Sequence, residues 1–216
     1  MAKDVEIILL SEERVADDLC GYLLRMNPAA RIQWANSRRK LEEAVQRAAG
    51  PARLLSFLSN VIIPADLLQA VGMTGYNIHP GPPEYPGSSP AQFAIWEQAR
   101  RFGATAHELS DRVDEGTIVA TKFFPMPPEP EELALGDLAF AASVDLFAFV
   151  GQHCAHCLSD LPPSGAVWRG QKRTRADFAR LRASWPLLAK RDRERLLRAC
   201  SDLRNSLPAE ELMCAD

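Results

Sequence analysis

The sequence lacks the glycine fingerprints of nucleotide phosphate cradles. Neither GxGxxG nor GxxxxGKS occurs after its first apolar run, VEIILL at 5–10, so dinucleotide and P-loop chemistry lose their main support. No uninterrupted apolar run reaches the roughly 18–20 residues that cross a bilayer. The opening MAKDVEIILLSEE runs from charged residues into a strand and does not read as a signal peptide. The expectation is a cytoplasmic protein with no membrane partner. Cysteine is sparse, and Cys20, Cys154, Cys157, Cys200 and Cys214 are odd in number and scattered, which excludes a disulfide framework. His153, Cys154, His156 and Cys157 include pairs three apart that share a helical face. A closed zinc site needs further ligands, so buried thiols in an apolar helix are expected there and no metal.

The residues that are present describe a packed domain. Hydrophobic residues are 47% and charged residues 25%, ordinary for a globular chain, and 216 residues suit one α/β domain with a small extension. Val5–Leu10, Arg31–Trp34, Arg53–Leu58 and Gly75–Ile78 read as strands separated by helices: the first runs from Ser11 to about Met26, the second is capped by Asn36 or Ser37, and the third runs from Pro64 to Gly72. Such alternation predicts a Rossmann-like, mostly parallel sheet flanked by helices. A helix from Ser88 or Ser89 through Arg101, strands at 105–109 and 117–124, and a long helix over 131–158 are expected next. Beyond 161 comes a Pro/Gly linker with a short strand to Gly170, then one or two helices broken at Pro186. The expected division is therefore 1–160 and a helical extension, 161–216. From Trp168 to Arg204 twelve Lys or Arg face four Asp or Glu despite a net charge of −3. That stretch reads as a solvated helical face or as a surface for phosphate, and equally suits a homodimer interface.

Ligands on open α/β sheets sit beyond the carboxyl ends of the strands. Asn77 and His79 lie there, two residues apart and so on one side of the strand. A loop of five prolines and two glycines, 80–90, rigidifies the chain leaving that strand, and the turn Val113-Asp114-Glu115-Gly116 could bring Asp114 to His79. A neighbouring carboxylate would then lift the imidazole pKa enough to make it cationic at neutral pH.

NIHPGPPEYPGSSPAQFAIW (77–96) and GATAHELSDRVDEGTIVA (103–120) together resemble the folate-dependent formyltransferase family, over about 54–125. The resemblance implies a shortened formyltransferase fold and 10-formyltetrahydrofolate as the formyl donor, with no metal. It places Asn77, His79 and Asp114 at the catalytic positions. Ser59, Asn60, Val61, Ile62 and Ile63 match the segment lining the folate pocket, and Ser110, Asp111 and Arg112 the loop whose backbone holds the pterin. His107 matches a position where the family often has His, and Pro82–Pro83 a place where it has a cis bond. Pro82, Glu84 and Tyr85 are expected to meet the substrate, with Phe93 and Trp96 as further aromatic candidates. Amine attack on a formyl carbon builds negative charge on oxygen and positive charge on nitrogen, which an amide, an imidazole and a carboxylate can each offset.

Departures from the family narrow the acceptor. Ser11-Glu12-Glu13-Arg14 puts acids where purine-synthesis members have a Gly-rich phosphate loop, and a βα unit before Asn77 is missing or compressed. The residues after Leu161 are too few and too helical for the C-terminal barrel of methionyl-tRNA formyltransferases. HPGPPEYPG resembles sugar N-formyltransferases, which implies a nucleotide-linked amino sugar, with Trp168–Gly170, Lys172 and Arg173 as candidate diphosphate contacts. Two alternatives stay open: an enzyme acting on aminoacyl-tRNA, and a non-catalytic folate-binding module.

Overall fold

A computed structural model describes residues 4–203; Arg204 and Cys214 lie outside the described residues. Six strands, β1 (Glu6–Ser11), β2 (Arg31–Ala35), β3 (Arg53–Phe57), β4 (Tyr76–His79), β5 (Arg101–Glu108) and β6 (Ile118–Pro125), form one sheet in the order β2-β1-β3-β4-β5-β6. The first four pair in parallel, and β5 runs antiparallel to both its neighbours, β4 and β6. Alternation explains how one apolar run serves two faces. Ile7 and Leu9 pack against α1 (Glu13–Met26) and α5 (Glu132–His156), whereas Ile8 and Leu10 pack against α2 (Arg38–Arg47) and α3 (Ala65–Val71).

Local chemistry sets most boundaries. The Ser37 hydroxyl accepts the Lys40 N–H at 3.4 Å and starts α2, and Gly72, at φ 81°, ends α3. Glu12, not Ser11, stands at the N-cap of α1 and makes no side-chain bond there. Two expected boundaries are corrected. The fourth helix, α4 (Pro90–Trp96), ends well before Arg101, because Gln98 turns into the left-handed region at φ 55° and frees Arg101 to begin β5. No strand forms between Leu161 and Gly170; that segment runs as coil beside the proline loop.

By length and a mean hydropathy of 1.8, α5 would also suit a membrane span. Here it buries Leu135, Leu146, Phe147 and Val150 against α1 and the sheet, each contributing roughly 1.5–3 kcal/mol. Its far end is clamped by Arg53, 2% exposed, which donates to the carbonyls of Thr74, Leu158 and Ser159 and to Asp160 at 2.8–3.1 Å. The last elements are α6 (Arg175–Ala183), a 3₁₀ turn at Trp185–Leu187 and α7 (Lys190–Ala199). Thr174 and Asp177 form a capping box at the start of α6. Ala199 of α7 shares a core with Ala94, Ile95, Phe102, Leu135 and Ala139, so the end of the described chain packs directly on α4 and α5.

Candidate active site

The sheet reverses direction between β4 and β5, and polar side chains gather at that seam. In the antiparallel register Asn77 stands opposite His107 and His79 opposite Thr105. Asn77 Nδ2 lies 3.1 Å from His107 Nε2. Asp114, brought back by a left-handed turn at φ 51°, places Oδ1 3.3 Å from His107 Nε2 and Oδ2 3.4 Å from His79 Nδ1. Both imidazoles and the carboxylate are 3–6% exposed. The fourth group, the Asn77 amide, lines an open cleft of about 800 Å³ together with His79 and Asp114.

The remaining ring nitrogens fix the tautomers. His79 Nε2 faces the Tyr85 carbonyl at 2.9 Å and His107 Nδ1 the Glu108 carbonyl at 2.8 Å. A carbonyl only accepts, so each of these nitrogens carries the proton and donates it. The other ring nitrogens meet the carboxylate: His79 Nδ1 faces Asp114 Oδ2, and His107 Nε2 stands between the Asn77 amide and Asp114 Oδ1. Asp114 accepts the Gly87 N–H at 2.8 Å. Burial pushes its carboxyl pKa up, but His79, His107 and the Gly87 N–H outweigh this and hold it at about 2. The expected cationic His79 is corrected: burial lowers its pKa more than Asp114 and the Tyr85 carbonyl raise it, so the ring is neutral at neutral pH.

The proline loop is shaped to fit this cluster. A methyl group on Gly81 would lie 2.6 Å from His79 Nε2, and Thr105 Oγ1 donates to the Gly81 carbonyl at 2.8 Å. Gly87, at φ 91°, approaches so near that a methyl there would sit 2.2 Å from the Arg173 carbonyl. No cis peptide bond occurs among the described residues, which corrects the expected Pro82–Pro83 cis bond; the Pro82 carbonyl instead accepts the Tyr85 N–H in a tight turn at 2.9 Å.

The segment after α5 covers the cluster from outside. Arg169 donates its N–H to the Pro83 carbonyl, Arg173 its N–H to Pro86, and the Arg173 carbonyl accepts from Ser88. Trp168 presents its indole edge-on to His107 at 5.2 Å and His79 at 5.8 Å, and its Nε1 donates to the Gly116 carbonyl at 2.9 Å. The cations expected at a diphosphate are used within the fold: Lys172 pairs with Glu115 at 3.0 Å, and Arg173 pairs with Glu97 at 2.7 Å and stacks on Phe93. Arg14 and Arg175 line the cleft instead, the latter donating to Asn60 Oδ1 at 3.2 Å.

The remaining expected residues divide. Ser59 and Asn60 line the cleft. Val61 packs on the core that buries Ile63, and Ile62 is exposed, so these three do not form its wall. Ser110 to Arg112 form an exposed turn tied by the Ser110 hydroxyl to the Arg112 carbonyl at 2.7 Å. Pro82, Glu84 and Tyr85 also lie outside the lining: Glu84 pairs with Arg101 at 2.7 Å, and the Tyr85 ring rests against Phe102. Phe93 is buried, and Trp96 packs in the C-terminal core. His107 is the member that motif reading placed least firmly. Its signal is the alternation of Thr105 and His107 with Ala104 and Ala106, which puts both polar groups on one face. Trp168 offers no comparable signal, because nothing local in sequence ties it to either histidine.

Several known proteins share this architecture or sequence. A sugar N-formyltransferase from a Shewanella species superposes with a TM-score of 0.73 at 18% identity, covering 90% of this chain and 87% of that one. An N-formyltransferase from Helicobacter canadensis, solved with folinic acid and dTDP-3-aminofucose, gives 0.63 at 12% identity, covering 90% and 80%. At these identities the likeness is one of fold. In sequence, a methionyl-tRNA formyltransferase of Bifidobacterium longum is 39% identical over 61 residues, which is 28% of this chain and 19% of that enzyme. The formyl transferase family model matches residues 28–138, half of the chain and all of the seam from Asn77 to Asp114, and the protein belongs to that family.

Proposed function

We propose that this protein is an N-formyltransferase that moves a formyl group from 10-formyltetrahydrofolate to the amine of a nucleotide-linked amino sugar. The observation that carries the reading is the interlocked set of buried His79, His107 and Asp114 with the half-buried Asn77, at a cleft within the family-matched region. The cleft suits the donor: Leu58, Ile78 and Phe140 offer apolar surface to a ring system, and Ser59, Asn60 and Asn77 offer polar groups. The folate supplies the activated formyl carbon. In this reading the Asn77 amide donates to the carbonyl oxygen as negative charge grows on it, an interaction worth roughly 3–4 kcal/mol in comparable sites. His79 lines the cleft beside it. Asp114 stabilises a proton passing from the attacking amine to the His79 ring, and the proton leaves on the folate nitrogen as its bond to the formyl carbon breaks. The extension 161–216 contributes Trp168 and Arg175 to this unit.

A nucleotide-linked sugar as acceptor is supported by Arg14 and Arg175 at the cleft and by the likeness to sugar enzymes over most of their length. The test is formyl transfer by the purified protein from 10-formyltetrahydrofolate to a panel of dTDP- and GDP-linked amino sugars and to methionyl-tRNA, read as release of deformylated folate. Turnover with a sugar nucleotide is expected. Transfer to methionyl-tRNA alone would replace the acceptor, and folate binding without transfer to any amine would make the chain a binding module.

A further inference from the structure

A second cavity, of about 500 Å³, lies at the other end of α4, between that helix, residues 126–130 leaving β6, and one face of α7. It shares no lining residue with the cleft. Arg191, Arg195 and Arg198 recur on α7 at spacings of four and three, so they share a face, and Arg100 stands across from them. Glu129 and Glu194 are the acids of the lining, leaving four guanidiniums against two carboxylates in a chain of net charge −3.

The internal partners of these arginines are few. Of the four, Arg195 alone has an ion pair among the described residues, with Asp192 at 3.2 Å, and the Trp96 carbonyl and ring hold it further in place. Arg198 Nε is buried with no hydrogen-bond partner. A donor removed from water in this way is costly unless an acceptor meets it. The backbone marks the same place. Among the described residues five that are not glycine have positive φ; Leu58, Ser89 and Asp114 line the cleft, and Gln98 and Glu129 line this cavity. Each such conformation is strained, and such conformations cluster at ligand sites.

We propose that this cavity binds a small phosphorylated molecule, its phosphate held by Arg191, Arg195 and Arg198 and its apolar part against Ile95 and Met126. Guanidinium forks match phosphate oxygens two at a time, and the local excess of two positive charges matches a phosphate dianion. A recess of about 500 Å³ beside one helix end favours a small molecule over a nucleic-acid backbone, which needs an extended row of cations.

The test is a calorimetric titration of the full chain at low salt with inorganic phosphate, with a nucleoside diphosphate and with tRNA. Wild type, Arg198→Ala, Arg191→Ala and Arg175→Ala are compared. Arg191 is exposed, so its replacement does not threaten the fold. Phosphate and nucleotide binding should weaken at least tenfold in the Arg198 and Arg191 variants and persist in Arg175→Ala. A nucleotide binding much tighter than phosphate would identify a nucleotide as occupant, and equal affinity a simple phosphoryl group; both support the site. Unchanged affinity in Arg191→Ala and Arg198→Ala, loss in Arg175→Ala alone, or detectable binding only of tRNA would overturn it. Every readout is binding, so the outcome is independent of formyl transfer.

Discussion

The two concave regions at opposite ends of α4 hold their charges in opposite ways. In the cleft, Asp114 and the two imidazoles are 3–6% exposed and spend their hydrogen-bonding capacity on one another and on backbone groups. Around the second cavity most of the arginines are exposed or half-buried, and they have few internal partners. A buried ionic group must be met before water leaves it, so the cleft groups are fixed in place and suited to chemistry at a defined atom. The exposed arginines, Arg100 and Arg191, keep their mobility and become ordered by a ligand. If the contrast is real, Asn77→Ala should lower turnover by about 10³-fold, roughly 4 kcal/mol of barrier, with little change in unfolding free energy, and Asp114→Asn should lower turnover as far and also cost stability, because the Gly87 N–H and both imidazoles hold the native carboxylate. Arg191→Ala should leave turnover within about twofold. Steady-state kinetics paired with urea denaturation checks both, and near-native transfer by Asn77→Ala would remove the amide from the mechanism.

Gly87 tests whether the covering segment and the cluster are one unit. Its N–H bonds Asp114, and its α-carbon faces the Arg173 carbonyl. Gly87→Ala forces either a strained backbone or loss of the contact with 169–173, and should cost about 2–4 kcal/mol in stability. A change under about 0.5 kcal/mol would show that the segment moves aside freely. Trp168→Phe probes the same cover more gently, keeping the ring faces while deleting the Nε1–Gly116 bond. The expected result is about 1 kcal/mol of stability, measured by denaturation, and a severalfold fall in turnover.

The parallel half of the molecule was readable because its signals are local. Continuous apolar runs such as Ile7–Leu10 and Arg53–Phe57 need burial on both faces, and Ser37 and Gly72 punctuate the helices between them. Asn77, His79 and Asp114 were legible through motif spacing. The features that escaped depend on contacts distant in sequence. His107 gains its place from an antiparallel register, and Trp168 from a coil folding back over the histidines. Arg53 sits in a strand yet satisfies carbonyls a hundred residues away. The expected charge on His79 failed for a related reason: motif spacing suggested a carboxylate neighbour but carried no measure of burial.

The smallest effect expected is a dependence of stability on pH. The native His79 pKa is lowered from the ordinary 6.5, chiefly by burial. Below about pH 6.5 the unfolded chain takes up a proton that the native ring refuses, so stability falls on acidification, by at most about 1.4 kcal/mol per pH unit for one proton. Asp114 acts with the same sign lower down: its native pKa of about 2 lies under its ordinary value of 3.8, so its contribution is full above 3.8 and is lost toward 2. His79→Gln should abolish the upper slope and narrow the lower one, because His79 is one of the groups that hold Asp114 at about 2. Asp114→Asn should remove the lower one and widen the upper, because the carboxylate is the charge that opposes burial at His79. Urea unfolding at pH 7, 6 and 5 measures the upper window. Identical slopes in wild type and His79→Gln would mean that the ring accepts its proton in the native cleft, and the contrast with the second cavity would narrow. Arginine does not titrate in this range, so Arg191→Ala and Arg198→Ala should leave the slope of the wild type unchanged whatever they do to its height.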